Sequence, residues 1–285
     1  MGKDTFFSTF SLHCGKKIIE YMRPCVVGIL NVTADSFYDG GRYKDHQSVV
    51  DHAKWLVQEG ADIIDIGVVS SRIGAQLLPP DVEACRLAEA VRIVHEALPD
   101  AILSADTCYA QPAVAAVKAG AHIINDISGG QFDQRMFAAI ADMQVPYVLN
   151  HTRGLPSEMN QLTQYDNLMR DIAYYFTQRL DDLYQKGVSD VIIDPGFGFA
   201  KTTPQNFEIV NHLDHLRQLF HEPIMVGVSR KRMIYQTLEI SANQALNGTT
   251  VINTLALERG ASMLRVHDPR PAREAIKLVM QTMYS

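Results

Sequence analysis

Eight times along this chain an apolar run of strand length ends in a polar or charged residue. Val26-Val27-Gly28-Ile29-Leu30 stops at Asn31, Ile63-Ile64 at Asp65, Ile102-Leu103-Ser104 just short of Asp106, and Ile123-Ile124 at Asn125. Tyr147-Val148-Leu149 runs to Asn150 and His151, and Val191-Ile192-Ile193 to Asp194. Ile224-Met225-Val226 leads toward Ser229 and Lys231, and Met263-Leu264 to Arg265 and His267. Strands buried on both faces of a parallel sheet read as unbroken apolar runs. In a (β/α)8 TIM barrel the reactive groups stand at the C-terminal ends of such strands. The pattern therefore predicts an α/β barrel and the face of it that carries chemistry.

Between the runs, apolar spacing predicts helices over 47–59, 80–96, 111–120, 133–143, 161–186, 204–219, 242–258 and 271–283. Gly60, Gly120, Gly187 and Gly260 sit where helix ends need a left-handed residue. Strands alternating with helices imply βαβ units. An open doubly wound sheet is the rival, but it needs a tight glycine-rich turn after its first strand. The long polar segment from Asn31 to Gly41 is not one. The length, 285 residues, suits one barrel, which typically takes about 250. No linker or charge run divides the chain, so residues 1–285 are expected to form a single domain. Residues 10–19, turning at Cys14-Gly15-Lys16, are predicted to form a short N-terminal hairpin over the barrel bottom.

A net charge of −6 gives no reason to expect nucleic acid or membrane partners, so an anionic substrate would need a local cluster of cations. There is no apolar signal segment and no run long enough to span a bilayer. The four cysteines lack CxxC spacing, which suits a reduced, cytoplasmic setting.

Five segments crowd polar groups at predicted strand ends. Residues 31–41 read equally as a turn or as a lid. Arg72 beside Ser70 and Ser71 is either a surface arginine or an anion holder. Asp106 and Asn125 on adjacent strands, with Asp194 opposite, form hydrogen-bonding edges that suit a flat heterocycle. Ser229-Arg230-Lys231 and Arg265-Val266-His267 gather cations where the last two strands meet the first. With the Asn31 amide they suit a pyrophosphate and its divalent metal.

In these segments the chain resembles the dihydropteroate synthase family over nearly its whole length. The resemblance lies in Gly28 through Gly41, in Asp194-Pro195-Gly196-Phe197-Gly198-Phe199-Ala200-Lys201, in Gly227-Val228-Ser229-Arg230-Lys231, and in Arg265-Val266-His267-Asp268. It implies a TIM-barrel transferase joining 6-hydroxymethyl-7,8-dihydropterin pyrophosphate to p-aminobenzoate, with Mg2+ as cofactor and a homodimer as the assembly. Carried over, Asp106, Asn125, Asp194, Lys231 and Arg265 hold the pterin. Asn31 ligates Mg2+, and Asn31, Arg72, Arg265 and His267 bind pyrophosphate. Ser71, Phe199, Ser229 and Lys231 border p-aminobenzoate. Lys231, Arg265 and Asp106 are the expected catalytic groups, and sulfonamides would compete for the p-aminobenzoate slot.

The chain departs from the family pattern at Ala34, where proline is normal, at Ala105, where valine is common, and in four further places. Val68 stands in place of a glycine, so a left-handed backbone there would be costly. Val69 belongs to the same altered loop, in which Ile73 replaces a stiffening proline. Asn150 stands where methionine commonly lines the pterin pocket. A pterin-binding paralogue with little synthase activity is therefore the alternative reading. A corrinoid methyltransferase on the same barrel would not need the cation cluster.

Overall fold

The structure, a computed structural model, describes residues 7–15, 17–32, 43–69 and 78–284. It has an antiparallel hairpin, β1 (Phe10–Cys14) and β2 (Lys17–Tyr21), followed by eight parallel strands. These are β3 (Cys25–Asn31), β4 (Ile63–Gly67), β5 (Ile102–Asp106), β6 (Ile123–Asp126), β7 (Tyr147–Asn150), β8 (Val191–Asp194), β9 (Met225–Val226) and β10 (Met263–Val266). Each pairs with its neighbour in chain order, β10 returns to β3, and a parallel bridge from Ile193 to Ile224 joins β8 to β9. The sheet is thus a barrel, as the eight runs predict.

Side chains alternate faces along a strand, so residues two apart share the interior. Val27, Ile63, Ile123, Val148, Ile192, Met225 and Met263 fill the lower interior with Leu12, Cys14 and Tyr21 from the hairpin. The hairpin therefore plugs the bottom, where Phe10 and Tyr21 stack at 4.8 Å. Each fully buried aliphatic side chain there is worth about 1.5–3 kcal/mol. Two residues further along the same strands come Asp65, Asn125, Asn150, Asp194, Gly227 and Arg265. One pleat period separates an apolar floor from a polar chamber.

The helices pack their apolar faces on the barrel's outside. They are α1 (Tyr43–Gln58), α2 (Pro80–Ala97), α3 (Ala110–Ala119), α4 (Met136–Met143), α5 (Leu168–Gln185), α6 (Thr203–Asn211), α7 (Leu213–Leu219), α8 (Arg232–Thr237), α9 (Leu246–Glu258) and α10 (Pro269–Tyr284). Three depart from the sequence expectation. Helix α5 starts at Leu168 because the Asn167 side chain accepts the Arg170 N–H at 3.0 Å. The segment expected as one helix over 204–219 breaks at His212 into α6 and α7. Helix α8 was not expected. Among the described residues no helix is long and apolar enough to cross a membrane.

Candidate active site

Strand ends bring the predicted residues to one mouth. Asp106 aligns with Gly67 on β4 and Asn125 on β6, and Asn150 aligns with Asp194. Asn31 ends β3, exposed at the rim. The chamber is nearly dry, with Asp65 fully buried and Asn125 and Asp194 also buried. Carboxylates removed from water need partners. Arg265 supplies them, its Nε donating to Asp65 Oδ2 at 2.6 Å and its Nη2 to Asp106 Oδ2 at 2.7 Å. Asn125 Nδ2 donates to the same Asp65 oxygen at 2.9 Å. Burial pushes the Asp106 carboxyl up, and the Arg265 guanidinium pulls it back.

Asp194 takes the backbone N–H of Gly196 at 2.7 Å. That turn needs its glycine: φ is +74°, and a Cβ would sit 1.9 Å from the His151 carbonyl oxygen. Gly196→Ala is therefore expected to destabilise the fold by at least about 1–3 kcal/mol. Denaturant unfolding checks this, and a variant as stable as the parent would refute the tight-turn argument. Lys201 latches the same loop from below, donating to the carbonyls of Gly196 and Phe199 at 3.0 Å each and to His151 Nδ1 at 2.9 Å.

Lys231 follows β9, its stem lying 3.4 Å from where a Gly198 Cβ would be. Its ammonium donates to the Phe197 carbonyl and lies 4.7 Å from the Phe199 ring centroid. Burial lowers its pKa to about 8, while Asp194 works in the opposite direction. Phe199 packs with Cys108, Ile127, Met159 and Ala200 in an apolar wall over this side of the mouth.

His267 corrects one expectation. Burial, with Arg230 and Arg265 beside it, lowers its pKa to about 4, so it is a neutral imidazole and not a third cation. Ser229 Oγ accepts the His267 backbone N–H at 3.2 Å and lies 3.0 Å from Nδ1. If Oγ donates its hydrogen to Nδ1, the imidazole proton is carried on Nε2. Between Ser229 and Lys231, Arg230 adopts φ +55° and forks onto Asp268 at 2.7 and 3.0 Å. That clamp ties the β9 and β10 ends together.

Asp126, the neighbour of Asn125 on β6, faces away from the polar chamber. Its carboxylate faces the helices, accepting from Ser128 N, Gly130 N and Tyr147 OH at 2.7, 2.8 and 2.7 Å. Val68 is buried without a positive φ, so the backbone cost expected for replacing glycine does not arise. Ser71, Arg72 and Ile73, and the lid reading of residues 33–41, lie outside the described residues.

A family model, pterin binding enzyme, matches residues 27–267. A dihydropteroate synthase of Streptococcus pyogenes serotype M3 is 35% identical over 273 residues, covering 94% of this chain and 99% of that one. The chain belongs to the dihydropteroate synthase family. The mitochondrial folate synthesis bifunctional protein of Pisum sativum is 37% identical over 272 residues, 90% of this chain, and the chain spans 53% of its length. A solved Xanthomonas albilineans dihydropteroate synthase in complex with 7,8-dihydropteroate superposes with a TM-score of 0.84. It is 33% identical and covers 97% of this chain and 100% of its own.

For a dihydropteroate synthase, sequence reasoning left two chamber residues without a role. Asp65 lies in the middle of β4, one pleat period below Gly67, and its parity with Asn31 and Asp106 was the available signal. Asn150 was noted only as a replacement, yet its buried Oδ1 has no hydrogen-bond partner.

Proposed function

We propose that this chain condenses 6-hydroxymethyl-7,8-dihydropterin pyrophosphate with p-aminobenzoate, releasing pyrophosphate and giving 7,8-dihydropteroate. The observation that carries this reading is the polar chamber. Asp106, Asn125 and Asp194 stand at inward-facing strand positions, Arg265 Nη2 donates to Asp106 at 2.7 Å, and Lys231 acts on Asp194 as its counter-charge. A flat pterin offers N–H donors to the carboxylates and a ring acceptor to Lys231. Arg265, the Nε2–H of His267 and Arg72 bind the pyrophosphate, and Arg265 stacks on the ring. Ser71, Ser229, Phe199 and Lys231 border p-aminobenzoate.

The reaction is dissociative. The methylene C–O bond breaks, pyrophosphate keeps the electron pair, and the pterin delocalises the cation left behind. The p-aminobenzoate nitrogen then bonds to the methylene and loses its proton. No side chain becomes covalently attached. The protein's work is positioning and charge stabilisation in a site shielded from water.

Mg2+ is the proposed cofactor. Among the described residues no cluster of three His, Cys, Asp or Glu could hold a metal. Asn31, an exposed neutral oxygen ligand at the rim, suits an ion held chiefly by phosphate oxygens and water. Bound there, Mg2+ would neutralise charge on the departing pyrophosphate.

Lys231 must donate to the pterin as an ammonium, and its pKa is near 8. The proton is lost as pH rises through that value, so kcat/KM for the pterin pyrophosphate is expected to fall on the alkaline side. The Lys231→Met variant should lack that limb. A wild-type rate flat well above that pH would remove Lys231 from the role.

The full chain acts as one domain in the cytoplasm, in keeping with four free cysteines. The dimer is proposed to form through α9 and α10, whose shared groove of about 400 Å³ is lined by Leu246, Thr250, Pro271, Ala275 and Leu278. Light scattering should then give twice the 31.8-kDa chain mass, and a monomer would refute it. Sulfonamides would compete with p-aminobenzoate. Pyrophosphate release that depends on both substrates tests the whole reading.

A further inference from the structure

Asp65 has no assigned part in the reaction, yet it joins two groups that do. Its Oδ2 accepts from Asn125 Nδ2 at 2.9 Å and from Arg265 Nε at 2.6 Å. The other end of that guanidinium, Nη2, donates to Asp106 at 2.7 Å. The two carboxylates differ in depth. Asp65 aligns with Ser104, and Asp106 aligns with Gly67, one pleat period nearer the rim. A ring N–H arriving from the mouth therefore competes with Nη2 for Asp106. Asp65 lies one period deeper, is fully buried, and also holds Asn125 Nδ2 at 2.9 Å. Asp65 Oδ1 has no hydrogen-bond partner, so a second acceptor on the same carboxylate is open.

We infer that Asp65 is the positioning residue for Arg265. It holds Nε as a pivot while the distal guanidinium gives up Asp106 to the pterin edge and swings onto the leaving pyrophosphate. The exchange lets one carboxylate, Asp106, serve the arginine before binding and the pterin afterwards. It also makes the cation available at the leaving group only once the ring is seated. The inference rests on the assignment of Asp106 to the pterin and Arg265 to the pyrophosphate.

Asp65→Asn keeps an acceptor of the same shape and removes the charge that holds Nε. The variant should lose kcat by about tenfold or more, while its calorimetric Kd for 6-hydroxymethyl-7,8-dihydropterin, which lacks the pyrophosphate, moves less than about threefold. In an Arg265→Lys background the same change should cost less than about threefold further, because Asp65 acts through the guanidinium. In the wild-type enzyme, nitrogen NMR should show the Arg265 Nε–H still protected from exchange after the dihydropterin is added. This last measurement needs no variant to fold. Pterin affinity falling in step with kcat, an undiminished loss in the Arg265→Lys background, or lost Nε–H protection would each overturn the pivot. Failure of the wild-type enzyme to bind the dihydropterin would instead overturn the pterin assignment itself.

Discussion

Asp194→Ala is expected to lower the affinity for the dihydropterin by at least about thirtyfold in calorimetry, since truncating a buried hydrogen-bonded charge at an interface costs about 2–5 kcal/mol. The carboxylate is buried at the end of β8, oriented by the Gly196 N–H at 2.7 Å, and faces the positive Lys231. Burial raises its pKa, and Lys231 and the Gly196 N–H oppose the shift. Removal strips the pterin edge of an acceptor and leaves Lys231 without its counter-charge. Asp194→Asn, which keeps an acceptor for the Gly196 N–H, separates the two losses. It should retain the loop but bind the pterin poorly. Near-normal affinity in Asp194→Ala would refute the assignment.

Arg265→Leu is expected to abolish turnover and to destabilise the fold by about 3–5 kcal/mol, the usual cost of orphaning buried charge partners. Its guanidinium is what lets Asp65 and Asp106 share one dry chamber at 2.6 and 2.7 Å. The sign with pH follows. Burial already raises the Asp106 pKa, and removal of Arg265 raises it further. A carboxyl whose folded pKa exceeds its unfolded value destabilises at neutral pH, and the penalty fades as pH falls through the folded value. The variant's deficit relative to the wild-type chain, measured by denaturant unfolding, should therefore shrink on mild acidification. A deficit independent of pH would mean that it comes from packing.

Most of the barrel was legible because its signal is local. An apolar strand that ends in a polar residue carries its own parity, and Asn31, Asp106, Asn125, Asp194 and Arg265 all fall on the inward side that parity assigns. Partnerships were not legible, because they join distant strands. Nothing near Asp65 in sequence announces Arg265, which lies 200 positions away. Asp126 and Asn125 are adjacent on a strand, so one of them must face outward, and the pair alone does not say which. The neutral state of His267 likewise depends on Arg230 and Arg265 being packed beside it. The misplaced start of α5 depends on a side-chain cap. Asn167 stops a pattern whose apolar spacing continues upstream, where Tyr165 OH instead binds the Ala200 carbonyl at 3.1 Å.

The most direct measurement is pyrophosphate release from 6-hydroxymethyl-7,8-dihydropterin pyrophosphate with Mg2+, with and without p-aminobenzoate. Release that requires p-aminobenzoate and yields dihydropteroate is the expected result. Tight pterin binding with no such turnover would contradict the synthase reading and make the chain a pterin-binding paralogue.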